Sequence, residues 1–240
     1  KAHGRNPQEL TALLEAHNVA PKVSLVMRPG LTDAAELEEF GAMPGHYSML
    51  AATWPGGDPG DATPVAEGRA AVQDEGSQLV ALALAAGADE HVTADDASWL
   101  DLCAGPGGKT AVLAGFSIER DAEVVAVELQ EHRMELVRSS VATLVDAGAE
   151  VDVLTADGTE IGERMPEAFS RVLADVPCSG LGALRRRPES RWRKQPGDIG
   201  QLGKTQRALL ASAIAATAPG GVIAYVTCSP HVSETILVAK

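Results

Sequence analysis

The sequence predicts an α/β fold, a parallel sheet with helices on both faces, preceded by a small α/β subdomain. Short apolar runs of strand length alternate with helix-length amphipathic stretches across residues 65–240. Such β-α-β alternation makes successive strands parallel and buries both sheet faces under helices. The first part of the chain repeats the alternation on a smaller scale. The 240 residues are 45% hydrophobic, enough to bury a full core.

Asn6-Pro7-Gln8-Glu9 is a helix start: Asn6 caps, Pro7 takes the first helical position and Glu9 reaches back to the cap. Leu10, Leu13 and Leu14 supply its apolar face. Val23, Leu25 and Met27 alternate with Lys22, Ser24 and Val26, a strand stopped by Pro29-Gly30. A second helix is expected after Thr32. From Pro55 to Pro64 the chain is almost all Pro, Gly and Asp without a basic residue, the composition of a linker. The expected organisation is therefore an N-terminal subdomain over 1–54, a linker over 55–64 and a larger domain over 65–240.

In that larger domain, strands are expected at Trp99–Cys103, Val124–Glu128, Val151–Thr155, Arg171–Val176 and Val222–Thr227. Leu136, Val137, Val141, Leu144 and Val145 define one helix face, and Leu202, Leu209, Leu210, Ala213 and Ile214 another. Parallel sheets bind ligands outside the carboxyl ends of their strands, so the residues just after each strand are the candidates for function.

Composition excludes several classes. Aromatics are only 3%, which disfavours gripping single strands through many stacked rings. The longest strongly apolar run, Leu79 to Ala88, is half the length of a membrane span, so no membrane helix is expected. Cys103, Cys178 and Cys228 are too few and too far apart for a disulfide scaffold. With no Cys-x-x-Cys pair and scattered histidines, no metal site is expected. No charged start leads into an apolar stretch, and a reducing cytoplasm is the expected location.

The first strand of the larger domain runs into Cys103-Ala104-Gly105-Pro106-Gly107-Gly108-Lys109, a Gly-rich turn opening a helix. Such turns let backbone approach a ligand closely. A phosphate-cradling P-loop would need Gly where Cys103 stands, and the dinucleotide fingerprint would need Gly or Ala where Thr110 stands. The next strand ends at Glu128, placed to accept ribose hydroxyls, and the third reaches Asp157. With Asp101, these make a row of carboxylates at successive strand ends. The row suits a nucleoside cofactor that carries positive charge, as S-adenosylmethionine does. The fourth strand leads through Asp175 to Cys178 and the fifth to Cys228, 50 residues later. Both thiols sit among Pro, Ser and Gly rather than core residues, and thiolates are strong nucleophiles.

DLCAGPGGKT, ADVPCSGLGALRRRPE and YVTCSP, in this order, resemble the signature blocks of the Fmu/Sun group of RNA cytosine-5 methyltransferases. The upstream stretch Val72 to Gln78 resembles the block that precedes the cofactor loop in that group. The likeness covers nearly the whole chain and is strongest to the B type, which acts on bacterial small-subunit (16S) ribosomal RNA. It implies a Rossmann-like S-adenosylmethionine-dependent methyltransferase sheet. Cys103, Ala104, Gly105, Pro106, Gly107, Gly108 and Lys109 then match the loop around the methionine part of the cofactor. Glu128 stands where the group has Asp at the ribose, Asp157 matches the residue beside the adenine, and Asp175 lies between cofactor and target base. Cys228 matches the nucleophile and Cys178 the cysteine that helps the product leave.

The resemblance also implies an RNA partner, a monomer, and neither metal nor membrane. Arg185, Arg186, Arg187, Arg191, Arg193 and Lys194, with Glu189 among them, give a local charge of +5 in a chain whose total is −13. This basic patch is the expected phosphate contact, with Trp192 available for stacking. Lys1, Arg5, Lys22 and Arg28 are the cations through which the N-terminal subdomain would help position RNA. B-type members carry an all-helical N-terminal domain and two further C-terminal strands that this sequence lacks, so an exposed sheet edge is expected. Three rivals are weighed: a nucleotide hydrolase, a silent RNA-binding assembly factor, and methylation of tRNA, another RNA, DNA or protein. Cys103 speaks against the first, and retention of both cysteines with Asp175 speaks against the second.

Overall fold

Two sheets carry the chain, one antiparallel and one parallel. The computed structural model describes residues 6–193, 195 and 197–240. Helix α1 (Pro7–Ala16) begins at the expected capping box, the Asn6 side chain accepting the Glu9 N–H while Glu9 accepts the Asn6 N–H. Strand β1 (Ser24–Met27) and helix α2 (Ala34–Glu38), capped by Asp33, follow. Then come β2 (Met43–Pro44), β3 (Ala51–Thr53), α3 (Thr63–Ala66) and β4 (Ala70–Val72). The four strands pair antiparallel in the order β2-β3-β1-β4.

Two expectations change here. The alternation in β1 promised one buried face, yet all four of its residues are buried. Leu25 and Met27 pack into the subdomain core with Leu37, Ala52 and Trp54. Val26 turns the other way, against Ala81, Leu82 and Val112 of the larger domain. The stretch 55–64 does not separate the two sheets either: Ala62 and Pro64 are buried, and β4 returns to pair with β1 through Leu25↔Val72 and Met27↔Ala70. Its Pro, Gly and Asp residues instead build local turns, one of them closed by the Asp58 carboxylate on the Gly60 N–H.

Helix α4 (Glu75–Ala85) leads into β5 (Ser98–Asp101), α5 (Gly108–Ile118), β6 (Glu123–Glu128), α6 (Glu131–Asp146) and β7 (Glu150–Thr155). Then follow α7 (Ile161–Arg164), β8 (Phe169–Asp175), α8 (Ser190–Arg193), α9 (Asp198–Ala216) and β9 (Thr217–Val226). All five strands are parallel, in the order β7-β6-β5-β8-β9, with β9 at one edge. Alternate residues of β6 show that both faces are covered. Val124 meets Trp99 and Leu113, and Ala126 meets Met134 and Val137 of α6. Val125 and Val127 meet Ile161, Leu209 and Ala213 of α7 and α9. The buried stripe of α6 is Met134, Val137, Val141 and Leu144, so Leu136 and Val145 of the expected face are exposed flanks. In α9, Leu209, Ala213 and Ala216 are buried while Ile214 is exposed. Strand order reverses between β5 and β8, which opens the ligand crevice at their carboxyl ends.

Candidate active site

Beyond β5 the chain turns beneath α6 and enters α5. Gly107 has φ of 103°, and a Cβ there would lie 2.6 Å from the Ser140 Cβ and 2.9 Å from the Val137 Cα. At Gly105 a Cβ would lie 2.2 Å from the Glu128 Oε2. Only glycine fits at position 107, and at 105 the loop lies directly against the carboxylate at the end of β6. Glu128 is only 6% exposed; its Oε1 accepts the Gln130 N–H at 3.0 Å and its Oε2 pairs with Arg133 Nη1 at 3.2 Å. Arg133, which the sequence did not single out, also donates to the Gly105 carbonyl.

Asp101 does not join the row of carboxylates facing the crevice. It is buried behind the loop, where the Thr110 hydroxyl donates to it at 2.7 Å. Burial pushes its carboxyl up to about 6, against the pull of Thr110. Burial, with the nearby carboxylates of Asp101, Asp175 and Glu128, also pushes the Cys103 thiol far above its ordinary value, so it stays protonated. Asp157 follows β7 and caps the turn Gly158–Glu160, its Oδ1 accepting the Thr159 N–H at 2.9 Å and hydroxyl at 2.8 Å. The next residue, Gly158, packs on the Leu102 carbonyl, which sets Asp157 beside the loop.

Lys109 crosses the crevice. From the first turn of α5 its Nζ donates to Asp175 Oδ2, at the end of β8, at 2.5 Å. The upstream block also reaches the loop, since Gln73 lies against Gly108. Gln78 binds the Leu25 carbonyl, and the Glu75 carboxylate accepts the backbone N–H groups of His46, Tyr47 and Ser48. That block therefore fastens the antiparallel sheet to the cofactor side of the parallel one.

The two cysteines meet beyond β8 and β9, with Cys178 Sγ 3.2 Å from Cys228 Sγ. The Gly182 N–H donates to the Cys228 carbonyl at 2.8 Å and joins the two loops. The Cys228 thiol, as donor, is the main cause that pulls the Cys178 thiol down to about 6, helped by the Thr227 hydroxyl and the backbone of Gly180 and Cys228. That charge in turn holds the Cys228 proton in place. The two thiols therefore titrate as one unit, the first proton leaving below the ordinary thiol range because the second bridges the two sulfurs.

The basic patch is divided. Arg185, Arg187, Arg191 and Arg193 are exposed, and Trp192 is 75% exposed beside them. Arg186 is half-buried and turns inward, donating to Asp74 Oδ1 at 2.8 Å and to the Lys22 carbonyl. Arg191 donates to the His17 carbonyl. Lys194 lies outside the described residues, as do Lys1 and Arg5. Arg28 is buried, so it is no surface cation for RNA. Among the described residues no group of three His, Cys, Asp or Glu side chains has metal-binding geometry, and no helix is long and apolar enough to cross a membrane.

A parallel sheet with a glycine loop at its switch point, carboxylates at the ends of β6 and β8, and a carboxylate cap after β7 defines the class of S-adenosylmethionine-dependent methyltransferases. The crevice suits a cationic nucleoside: two glycines leave room that a Cβ would fill, and acidic groups line three strand ends. The chain belongs to the RsmB/F family of 16S rRNA methyltransferases, whose family model matches residues 91–240. A Mycobacterium tuberculosis protein described as a methyltransferase is 50% identical over 229 residues, 95% of this chain and 48% of that protein. A Bacillus subtilis protein named for ribosomal RNA small subunit methyltransferase B is 34% identical over 168 residues, 70% of this chain and 35% of its own. The chain thus spans about half the length of the mycobacterial relative and about a third of the Bacillus one. Among solved structures, PH0851 superposes with a TM-score of 0.84 at 26% identity, over 98% of this chain and 53% of the other. NSun6 from Pyrococcus horikoshii shares the fold, with a TM-score of 0.80 at 15% identity over 97% of this chain and 82% of the other.

Proposed function

We propose that this chain methylates C5 of a cytosine in small-subunit (16S) ribosomal RNA. The observation that carries the reading is the pair of cysteine sulfurs, 3.2 Å apart, at the ends of adjacent parallel strands that also present Asp175. The loop Cys103–Lys109, Glu128, Asp157 and Asp175 would hold the cofactor. S-adenosylmethionine supplies the methyl group, and the protein's task is to make C5 electron-rich. The Cys228 sulfur adds to C6 of cytosine as its proton passes to the Cys178 thiolate or to solvent, so that the addition does not depend on Cys178. The C5–C6 π electrons move into the ring, and Asp175, sharing the Lys109 proton, stabilises the charge at N3. After C5 is methylated, Cys178 gives its proton to solvent and takes the C5 proton. The C5–C6 double bond re-forms, and the electrons of the C6–S bond return to Cys228.

The target base must leave any helix to reach these groups, so a loop or an opened strand is the expected substrate. Arg185, Arg187 and Arg193 stand exposed for phosphate contact beyond Cys178. The ribosomal substrate is supported by the family description and by relatives named for small-subunit ribosomal RNA. Two cysteines that must stay reduced fit a cytoplasmic location.

A covalent-trapping assay tests the reading. Cys178→Ala protein with S-adenosylmethionine and unmodified small-subunit ribosomal RNA is expected to accumulate a slow-migrating adduct on a denaturing gel. The Cys178→Ala/Cys228→Ala double variant is expected to lose it. An adduct formed instead by the Cys228→Ala single variant, which keeps Cys178, would reverse the two roles.

A further inference from the structure

Directly behind the two thiols lies a carboxylate that none of these steps uses. Glu234 ends the turn Val232–Glu234, which follows β9, and is fully buried. Its Oε1 accepts the Ser179 N–H at 2.8 Å and the Gln206 side-chain amide at 3.1 Å. Its Oε2 accepts the hydroxyls of Ser179 and Ser229, each at 2.5 Å, and these hydroxyls are 3.0 Å from one another. Ser179 follows Cys178 and Ser229 follows Cys228. Gln206, on α9, also donates to the carbonyl of Pro177, the residue before Cys178. The Tyr225 hydroxyl, from β9, holds the Glu234 backbone carbonyl at 3.1 Å.

A carboxylate buried this completely is unfavourable unless donors fill its lone pairs. Here both oxygens are engaged, by the residue after each cysteine and by the helix that braces the first loop. Anchoring one loop would need donors from that loop alone, whereas these come from both. We propose that Glu234 is a positioning residue for the cysteine pair: its carboxylate clamps the β8 and β9 loops together and thereby sets the thiols at hydrogen-bond distance. Burial pushes its carboxyl up, but the Ser179 and Ser229 hydroxyls and the Ser179 N–H outweigh burial and hold it below its ordinary range. The clamp is therefore an anion at neutral pH, able only to accept.

Because the proposal rests on the role given to the thiols, its test reads them without RNA. Diamide takes two electrons and two protons from a pair of neighbouring thiols and leaves a disulfide. The full chain is oxidised with diamide, and Cys178–Cys228 linkage is followed by peptide mapping. Wild type is expected to crosslink readily. Glu234→Gln places an amide N–H₂ where only an acceptor serves, and is expected to crosslink about tenfold to a hundredfold more slowly. Its melting-temperature shift with S-adenosylmethionine is expected to stay as in wild type. Glu234→Asp, which keeps the charge and shortens the reach, is expected to fall between the two.

Crosslinking of Glu234→Gln at the wild-type rate, or failure of wild type to crosslink, would overturn the clamp. So would loss of the cofactor-induced shift in Glu234→Gln, because that would mark a general role in the fold. In methylation assays the variant is expected to lose kcat while KM for S-adenosylmethionine is unchanged. If wild type methylates no ribosomal RNA while Glu234→Gln still slows crosslinking, the clamp stands and the proposed substrate falls.

Discussion

Cys178 and Asp101 show how one residue's surroundings set its chemistry. Cys178 is held down to about 6 chiefly by the Cys228 thiol. Its alkylation by iodoacetamide is therefore expected to persist at neutral pH and to fall away as pH drops through about 6. Cys228→Ala removes the main donor and is expected to move that inflection upward, which mass spectrometry of the alkylated peptide would measure. For the pair, stability rises as pH climbs from about 6 toward an ordinary 9.0, because the folded state releases its first proton early, and it falls again above 9.0, where only the folded state keeps the Cys228 proton. Asp101 has the opposite sign. Its carboxyl is raised from 3.8 to about 6, so the folded state holds the proton more tightly and stability declines as pH rises through that window. Asp101→Asn keeps an acceptor for Thr110 and cannot ionise. Relative to wild type it is expected to gain stability between pH 4 and pH 7, on the order of 2 kcal/mol in paired thermal melts.

At the level of the elements, two positions fix how strands and helices meet. Gly107 caps α5 in a left-handed conformation with α6 packed over it. Gly107→Ala adds backbone strain and a clash, with an expected cost of about 1–3 kcal/mol. The melting-temperature shift with S-adenosylmethionine is expected to shrink as the loop moves. Arg171 of β8 is 2% exposed and ties several elements together. It donates to Asp96 and Asp89 and to the Leu84 and Ala85 carbonyls at the end of α4, and lies 4.9 Å from the Trp99 ring centroid. Arg171→Met keeps the bulk and leaves those acceptors unpaired, so a loss of about 3–5 kcal/mol is expected in denaturant titration. The expected strand began at Arg171. The observed strand starts at Phe169, and the ion pairs that make Arg171 an interior residue come from distant positions.

Across the whole molecule, the two sheets are joined through the side of the site. Arg186 reaches from the loop after Cys178 to Asp74 and to the Lys22 carbonyl, and Arg191 reaches the His17 carbonyl. The basic patch is thus partly a fastener. Replacing Arg187 or Arg193 by Ala is expected to lower the slope of RNA affinity against salt by about 0.7 each. Arg186→Ala is expected to change that slope less and to lower the melting temperature more. Fluorescence titrations at several salt concentrations would separate the two effects.

The sequence by itself determined the fold class, the family and where the chemistry is to be sought. Strand ends followed by glycine, carboxylate or cysteine are local patterns, and local backbone preference is enough to make them. The helix start at Asn6 and the glycine loop were legible for the same reason. Tertiary structure alone decided which of those groups face one another. It turned Asp101 inward, brought Lys109 to Asp175 and Arg133 to Glu128, and buried both faces of β1. It also returned β4 to the first sheet across a stretch composed like a linker. Glu234 carried no local signal, since its partners belong to segments up to 55 residues away. Partners so far apart in sequence meet only when parallel strands come into register, and burial then decides which polar groups must pair.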